Sequence, residues 1–173
     1  MNFQNKKILI AYFSRRGNNY SNGKIVNLSV GNTELVARRT AERLKADLFE
    51  ISIKGEYPQD YYECTIVAKK ELTANSRPEL VGDIELSEYD IIVLGYPNWW
   101  NTMPMAVWSF LDKHDFNGKV ILPFCTNEGS GMGNSERDIK KLCPTAEVKN
   151  GLSIVGSRVA ESAYAVDNWL LNS

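Results

Sequence analysis

The chain has 173 residues, of which 43% are hydrophobic and 24% charged, with a net charge of −1. That length fits one domain, and the composition is that of a globular protein able to bury a sizeable core. No basic run alternates with aromatics, which argues against nucleic-acid binding, and the apolar run Ile8 to Phe13 is too short for a signal-peptide core or a membrane span.

Lys7 to Phe13 reads as a strand buried on both faces. After a long polar stretch, Leu35, Val36, Ala37, Thr40, Ala41 and Leu44 recur at helical spacing, the pattern of an amphipathic helix. Leu48 to Ile53 alternates as a second strand. Pro58 stands where a helix could begin, with Tyr62, Ile66 and Lys69/Lys70 on one face, and residues 75 to 87 read as an irregular connection. Tyr89 to Gly95 is a third strand, and Pro104 opens a helix with Ala106, Val107, Phe110 and Leu111 facing inward. His114, the one histidine, falls at the end of that helix and suggests a C-terminal position more than a catalytic or metal site.

Lys119 to Cys125 is the fourth strand. Ser135 and Asp138 have the spacing of a capping box for a helix that Pro144 stops, and a fifth strand falls within Val148 to Val155. Ala163, Val166 and Leu170, with Trp169 beside them, mark the last helix. Five strands interleaved with helices predict a three-layer, doubly wound α/β domain spanning residues 1–173. Cys64, Cys125 and Cys143 are an odd number without a C-x-x-C pair, so neither a disulfide framework nor a zinc site is expected, and a reducing cytoplasm fits.

In such a sheet ligands bind beyond the carboxyl ends of the strands, so the loops to inspect follow strands one, three and four. The first, Ser14 to Thr33, ends at a helix start, where backbone N–H groups and the helix dipole favour a phosphate. Residues 1–54 carry ten Lys/Arg against four Asp/Glu, and residues 55–115 carry four against eleven. An anionic cofactor near the first third would require that balance, and a solvated surface would also produce it. The second loop, YPNWWNTMP, sets Trp99 and Trp100 outside the sheet beside Asn98 and Asn101, as a stacking site or a partner contact. The third, TNEGSGMGN, has glycines that let backbone approach a flat ligand, but it follows strand four and so is not a dinucleotide fingerprint.

Together AYFSRRGN, GNTE, LGYPNWWN and TNEGSGMG resemble the flavodoxins and related flavodoxin-like proteins over nearly the whole chain. The resemblance implies a five-stranded parallel sheet of order 2-1-3-4-5 and noncovalent FMN. It also implies a phosphate held by Ser14, Gly31, Asn32 and Thr33, and a flavin ring between Pro97, Asn98, Trp99, Trp100, Asn101 and Thr126, Asn127, Glu128, Gly129, Ser130, Gly131. Flavodoxins run almost directly from strand to Gly-Asn-Thr, whereas here about residues 18–32 are inserted and the Gly-Asn pair is repeated. Because the dipole fades within about a turn, the second pair is expected to carry the phosphate. Gly17 and Arg16 either fold over the phosphate or ribityl chain or belong to a solvent-exposed excursion.

Two departures from the family stand out. Carrier flavodoxins are strongly acidic, which steers them to basic redox partners, and this chain carries only −1. Where relatives have glycine after the ring-contacting tryptophan, this chain has Asn101, which tolerates positive φ better than most residues. The expected function is an FMN electron carrier served by a protein reductase and acceptor, monomeric or weakly dimeric. The alternative is an FMN-dependent NAD(P)H:quinone-type reductase. No catalytic acid or base stands out, and none is needed for flavin chemistry. A phosphoacceptor receiver domain fails because strand one ends in Ser-Arg-Arg and strand three in Gly-Tyr-Pro, with no acidic residues there.

Overall fold

Along β1 (Ile8–Tyr12) every side chain is buried, as a run without polar residues requires in the middle of a sheet. The computed structural model describes residues 3–173. After β1 the chain leaves the sheet to form an antiparallel hairpin, β2 (Gly17–Ser21) and β3 (Lys24–Leu28), and returns through α1 (Asn32–Leu44). β4 (Asp47–Glu50), β5 (Ser52–Ile53) and α2 (Tyr61–Thr73) follow, and β6 (Leu80–Val81) comes back to pair antiparallel with β5. The rest alternates: β7 (Ile91–Pro97), α3 (Met105–Lys113), β8 (Val120–Asn127), α4 (Ser135–Leu142), β9 (Glu147–Val148), β10 (Leu152–Val155), a 3-10 helix at Gly156–Glu161, and α5 (Ala163–Asn172).

The central sheet is parallel with order β4-β1-β7-β8-β10, which in chain order is the expected 2-1-3-4-5. Its fifth position is filled by two short strands and not one. β9 pairs with the start of β8 and β10 with its end. Between them the Gly151 N–H donates to Glu136 Oε1 of α4 at 2.7 Å, which takes that group out of the ladder.

The pleat of β1 sends Leu9, Ala11 and Phe13 to one face and Ile8, Ile10 and Tyr12 to the other. The first set packs with Phe110 of α3 and Ile139 of α4; the second packs with Val36 and Ala37 of α1 and Val166 and Leu170 of α5. Each of the larger aliphatic and phenylalanine side chains among them contributes about 1.5–3 kcal/mol, the alanines less. Two cores on one sheet give the three layers.

Three local expectations differ from the structure. The stretch 75–87 contains β6, too short to carry a period. The face of α2 with Tyr62 and Ile66 is exposed, and Cys64 and Ala68 face inward. No capping box forms at α4. Asn134 precedes the helix and Ser135 is its first residue, its hydroxyl donating to Met132 O at 2.6 Å and accepting from the Tyr96 hydroxyl at 2.9 Å. His114 ends α3, its ring nitrogens on Phe110 O at 2.8 Å and Asp83 Oδ1 at 2.9 Å. Among the described residues no helix is long and apolar enough to cross a membrane.

Candidate functional site

A cavity of about 560 Å³ opens at the carboxyl ends of β1, β7 and β8, within the range of small-molecule and cofactor sites. Its inner end is built on α1. Gly31 precedes the helix, and a Cβ there would lie 2.2 Å from Ser14 Oγ and 2.6 Å from the Arg15 carbonyl, so only glycine lets the chain pass this close. Ser14 Oγ accepts from the Glu34 N–H at 3.1 Å, and the Gly31 carbonyl accepts from the Leu35 N–H at 3.1 Å. Those bonds leave the N–H groups of Asn32 and Thr33, both lining the cavity, as the open donors of the first turn. Thr33 Oγ1 lies 2.8 Å from Thr126 Oγ1 at the end of β8. Two hydroxyls sharing one bond spend one proton, so the other stays available to an anion.

The two arginines of this loop are committed elsewhere. Arg15 Nη1 bonds the Asn18 carbonyl, and Nη2 bonds those of Pro58 at 2.8 Å, Gln59 at 2.9 Å and Asp60 at 3.4 Å, tying the hairpin base to the start of α2. Arg16, expected over the cofactor, turns away from the cavity and pairs with buried Glu34 at 2.9 Å and with Glu50 at 3.4 Å. Arg38 holds the other oxygen of Glu34 at 2.7 Å. Burial pushes the Glu34 carboxyl up, but the hydrogen bonds from Arg38 and Arg16 outweigh it and hold the carboxyl below its ordinary range. A buried carboxylate demands this pairing, and so Arg16 serves the fold. Gly17 opens the hairpin at φ 79 beside Gln59 and does not line the cavity.

The hairpin itself lies across the cavity. Asn22 and Gly23, at φ 47 and 85, make its two-residue turn, a type I′ geometry that favours this pair. At the tip, the Asn22 N–H donates to Glu128 Oε2 at 3.1 Å. Glu128 also accepts from Ser157 N–H at 2.6 Å and Ser157 Oγ at 2.9 Å, which fastens the loop after β8 to the 3-10 helix. On the other side Tyr20 packs on Tyr61 of α2 with ring centroids 6.2 Å apart.

The aromatic loop is a second tight turn. Trp99 and Thr102 exchange backbone bonds of 2.9 and 3.2 Å, with Trp100 and Asn101 between them at φ 52 and 69. The two tryptophans differ in role. Trp99 is edge-on to Phe13 at 5.3 Å and to Tyr57 at 5.0 Å, anchored in the core margin. Trp100 is 48% exposed, its Nε1–H on the Thr65 carbonyl at 2.9 Å and Lys69 Nζ 4.6 Å from its ring centroid. The Asn101 carbonyl accepts from the Asn134 N–H at 2.7 Å. Asn98 Nδ2 donates to the Gly131 carbonyl at 2.9 Å, while Asn127 Oδ1 accepts from the Gly129 and Gly131 N–H groups at 2.9 and 3.0 Å, so the third loop is shaped around Asn127.

Of the residues expected at the site, Asn32, Thr33, Pro97, Asn98, Trp99, Trp100, Thr126, Asn127, Glu128 and Ser130 line the cavity. Ser14 and Gly31 support it from beneath α1, and Asn101, Gly129 and Gly131 shape the two outer loops. Sequence reasoning missed Arg15, Asn19, Tyr20, Tyr61, Tyr62, Cys64, Thr65, Ala68 and Gly156. Tyr61, Cys64, Thr65 and Ala68 stand at i, i+3, i+4 and i+7, a helical face that the sequence did show but that was not connected with the loops. Burial pushes the Cys64 thiol up, with Arg15 opposing, so Cys64 stays a thiol.

A doubly wound parallel sheet with an anion-ready helix start and aromatics at the ends of its middle strands defines the flavodoxin-like class of α/β proteins. The chain belongs to the flavodoxin family: the family described as Flavodoxin matches residues 7–173. A candidate flavoprotein of Bacteroides uniformis is similar in structure, with a TM-score of 0.75 and 27% identity over 96% of this chain and 98% of that one. A flavoprotein of Lactobacillus acidophilus, solved in complex with FMN, has the same fold at a TM-score of 0.65 and 21% identity, covering 90% of this chain and 97% of that one. In sequence the chain is 26% identical over 172 residues, 94% of its length and 82% of the relative's, to an Archaeoglobus fulgidus protein named NAD(P)H dehydrogenase (quinone). Family membership carries FMN as the cofactor, and the residues fit it: open N–H donors and a hydroxyl pair at one end suit a phosphate, and aromatic faces at the other suit a flat ring.

Proposed function

We propose that the chain is one flavodoxin-type domain that holds FMN in this cavity and transfers electrons between redox partners in the cytoplasm. The observation that carries the reading is the first turn of α1, where Gly31 packs against Ser14 and the Arg15 carbonyl, Asn32, Thr33 and Thr126 line one cavity, and the two threonine hydroxyls meet at 2.8 Å. The bound flavin supplies the electron chemistry. Asn32 and Thr33 bind the phosphate, Asn98 and Asn127 orient the loops on either side of the ring, and Trp100 and the hairpin exclude water from it.

A second reading, an FMN-dependent NAD(P)H:quinone-type reductase, is supported by the name of the Archaeoglobus relative and by the hairpin that lies across the cavity, tied at its tip to Glu128. The deciding experiment loads the protein with FMN and follows flavin absorbance under anaerobic conditions. A carrier is reduced slowly by NADPH alone and quickly when a flavodoxin reductase is added. Rapid multiple turnover of a quinone with NADPH and this protein alone supports the reductase. A protein that takes up no FMN overturns both.

A further inference from the structure

The phosphate end of the cavity is bounded on its outer side by a carboxylate. Ser14 and Gly31 lie beneath the first turn of α1, Thr33 and Thr126 meet beside it, and Gly156 and Glu128 form the wall next to Asn32. We propose that Glu128 is the residue that limits this site to a flavin ending in one phosphate, by rejecting a diphosphate that continues to a second nucleotide. The proposal rests on the FMN reading above; it concerns which flavin enters and not which partner takes the electrons.

Glu128 stands next to the phosphate seat. A Cβ on Gly156 would lie 2.5 Å from Asn32 Nδ2 and 2.9 Å from Glu128 Oε1, so the amide at the seat and the carboxylate face each other across a single glycine. Both Asn32 and Glu128 line the cavity.

The carboxylate is held in that place from two segments. Oε1 accepts from the Ser157 N–H at 2.6 Å, and Oε2 accepts from the Ser157 hydroxyl at 2.9 Å and from the Asn22 N–H at the hairpin tip at 3.1 Å. With both oxygens bonded, the group swings aside only by releasing the hairpin and the 3-10 helix together.

Its charge is oriented by these bonds and not cancelled, because all three donors are neutral. The nearby arginines are engaged elsewhere. Arg15, the one arginine lining the cavity among the described residues, donates to the Asn18, Pro58, Gln59 and Asp60 carbonyls, and Arg158, next to Ser157, pairs with Glu161 at 3.3 Å.

A terminal phosphate stops at the Asn32 and Thr33 N–H groups and keeps its charge on their side. A diphosphate must continue past them, and on the outer side its second phosphoryl group meets Glu128. Two like charges a few ångströms apart at a protein surface cost on the order of tenfold in affinity. Displacing the carboxylate would instead break the three bonds that hold it. Specificity of this kind comes from a repulsive element set against the wrong ligand.

The test titrates the full chain, freed of flavin, with FMN, FAD and riboflavin, and reads flavin fluorescence. Wild type should prefer FMN to FAD by about a hundredfold or more. Glu128→Gln keeps the size, removes the charge and should narrow that preference about tenfold, and Glu128→Ala should narrow it at least as far. Ser157→Ala removes one of the three bonds but leaves the charge, and should change the preference by no more than about twofold. Riboflavin has no phosphate, so a change that it shares with both nucleotides belongs to the hairpin and cancels from the ratio. An unchanged ratio in both Glu128 variants overturns the proposal. So does wild-type protein that holds FAD as tightly as FMN, since the carboxylate would then be yielding its donors to the second phosphate. Equal narrowing by Ser157→Ala would also overturn it, because closure and not charge would then select the flavin. Wild-type protein that binds none of the three flavins overturns the underlying FMN reading.

Discussion

Thr33 and Thr126 meet hydroxyl to hydroxyl at 2.8 Å, joining the first turn of α1 to the last residues of β8 at the inner end of the cavity. Both side chains are buried, so each needs a polar partner, and the pair supplies one while leaving one hydroxyl proton for a ligand.

The first prediction follows from that pair. Thr33→Ala should weaken FMN by about 1.5–3 kcal/mol, the value of a hydrogen bond to a charged group. Thr126→Ala should cost a similar amount, and the double variant less than the sum, because the two share one bond and one target. Riboflavin, which lacks the phosphate, should show no loss. Asn18→Ala should cost little, because Asn18 lies outside the cavity with its side chain on Asn27. Isothermal titration with both ligands decides it. A larger FMN-specific loss at Asn18 would move the anion site to the first Gly-Asn pair.

The adjacent tryptophans should separate by assay. Trp99→Ala opens a gap beside Phe13 and Tyr57 and should cost about 3 kcal/mol of folding stability in urea melts. Trp100→Ala should leave stability nearly unchanged but weaken FMN by about 1–3 kcal/mol through lost stacking. Equal effects of both variants in both assays would contradict the division of roles.

Glu128 should control how quickly the cofactor leaves. Glu128→Ala removes the acceptor that joins the hairpin tip to Ser157. Amide exchange at Asn22 should accelerate, and FMN dissociation in stopped flow should rise on the order of tenfold. Faster exchange without faster dissociation would show that the hairpin does not retain FMN.

Stability should fall with acid in a defined window. Asp83 is drawn down from 3.8 to about 2 by hydrogen bonds from Lys113, His114 and the Ile84 N–H. A carboxyl more acidic folded than unfolded contributes its full stability above the unfolded value and loses it as pH drops through the folded one. Wild type should therefore lose stability as pH falls from about 3.8 toward 2, and Asp83→Asn should lose less over the same span in urea midpoints. Glu34, also held low, acts with the same sign and remains in both proteins. Identical pH slopes would remove Asp83 from the account.

β1, β7 and β8 could be read from sequence because each is a long apolar run, β4 and β10 only as short stretches beside them, and the strand order followed from the family resemblance. The three loops at their ends could be read because glycine, asparagine and tryptophan are conspicuous there. The hairpin was not, although Asn22-Gly23 between Tyr20 and Ile25 is a strong turn signal; its strands alternate only weakly, and Gly-Asn repeats drew attention to phosphate binding. β5 and β6 are two residues each and carry no period. Arg16 stands in the loop where a phosphate-binding cation would fit, but its partner Glu34 is 18 residues away and only the fold reveals that a buried carboxylate needs it. Sequence periodicity put Tyr62 on a helix face with Ile66 and Lys69/Lys70 and passed over Tyr61, and nothing in the sequence says which loop that helix would meet.

With Arg16 paired to Glu34 and Glu50, and the side-chain donors of Arg15 spent on backbone carbonyls, no arginine of this loop is directed at the phosphate seat, and this affects the whole molecule. FMN would bring about two negative charges to a chain whose own net is −1, and the single arginine lining the cavity among the described residues, Arg15, could not offset both. The loaded protein would stand near −3, with the added charge close beneath the mouth of the cavity. Empty and loaded forms would then present different fields to a passing protein. A basic partner would be drawn more strongly to the form that has a flavin to offer, so that loading with cofactor would itself serve as the signal that the carrier is ready.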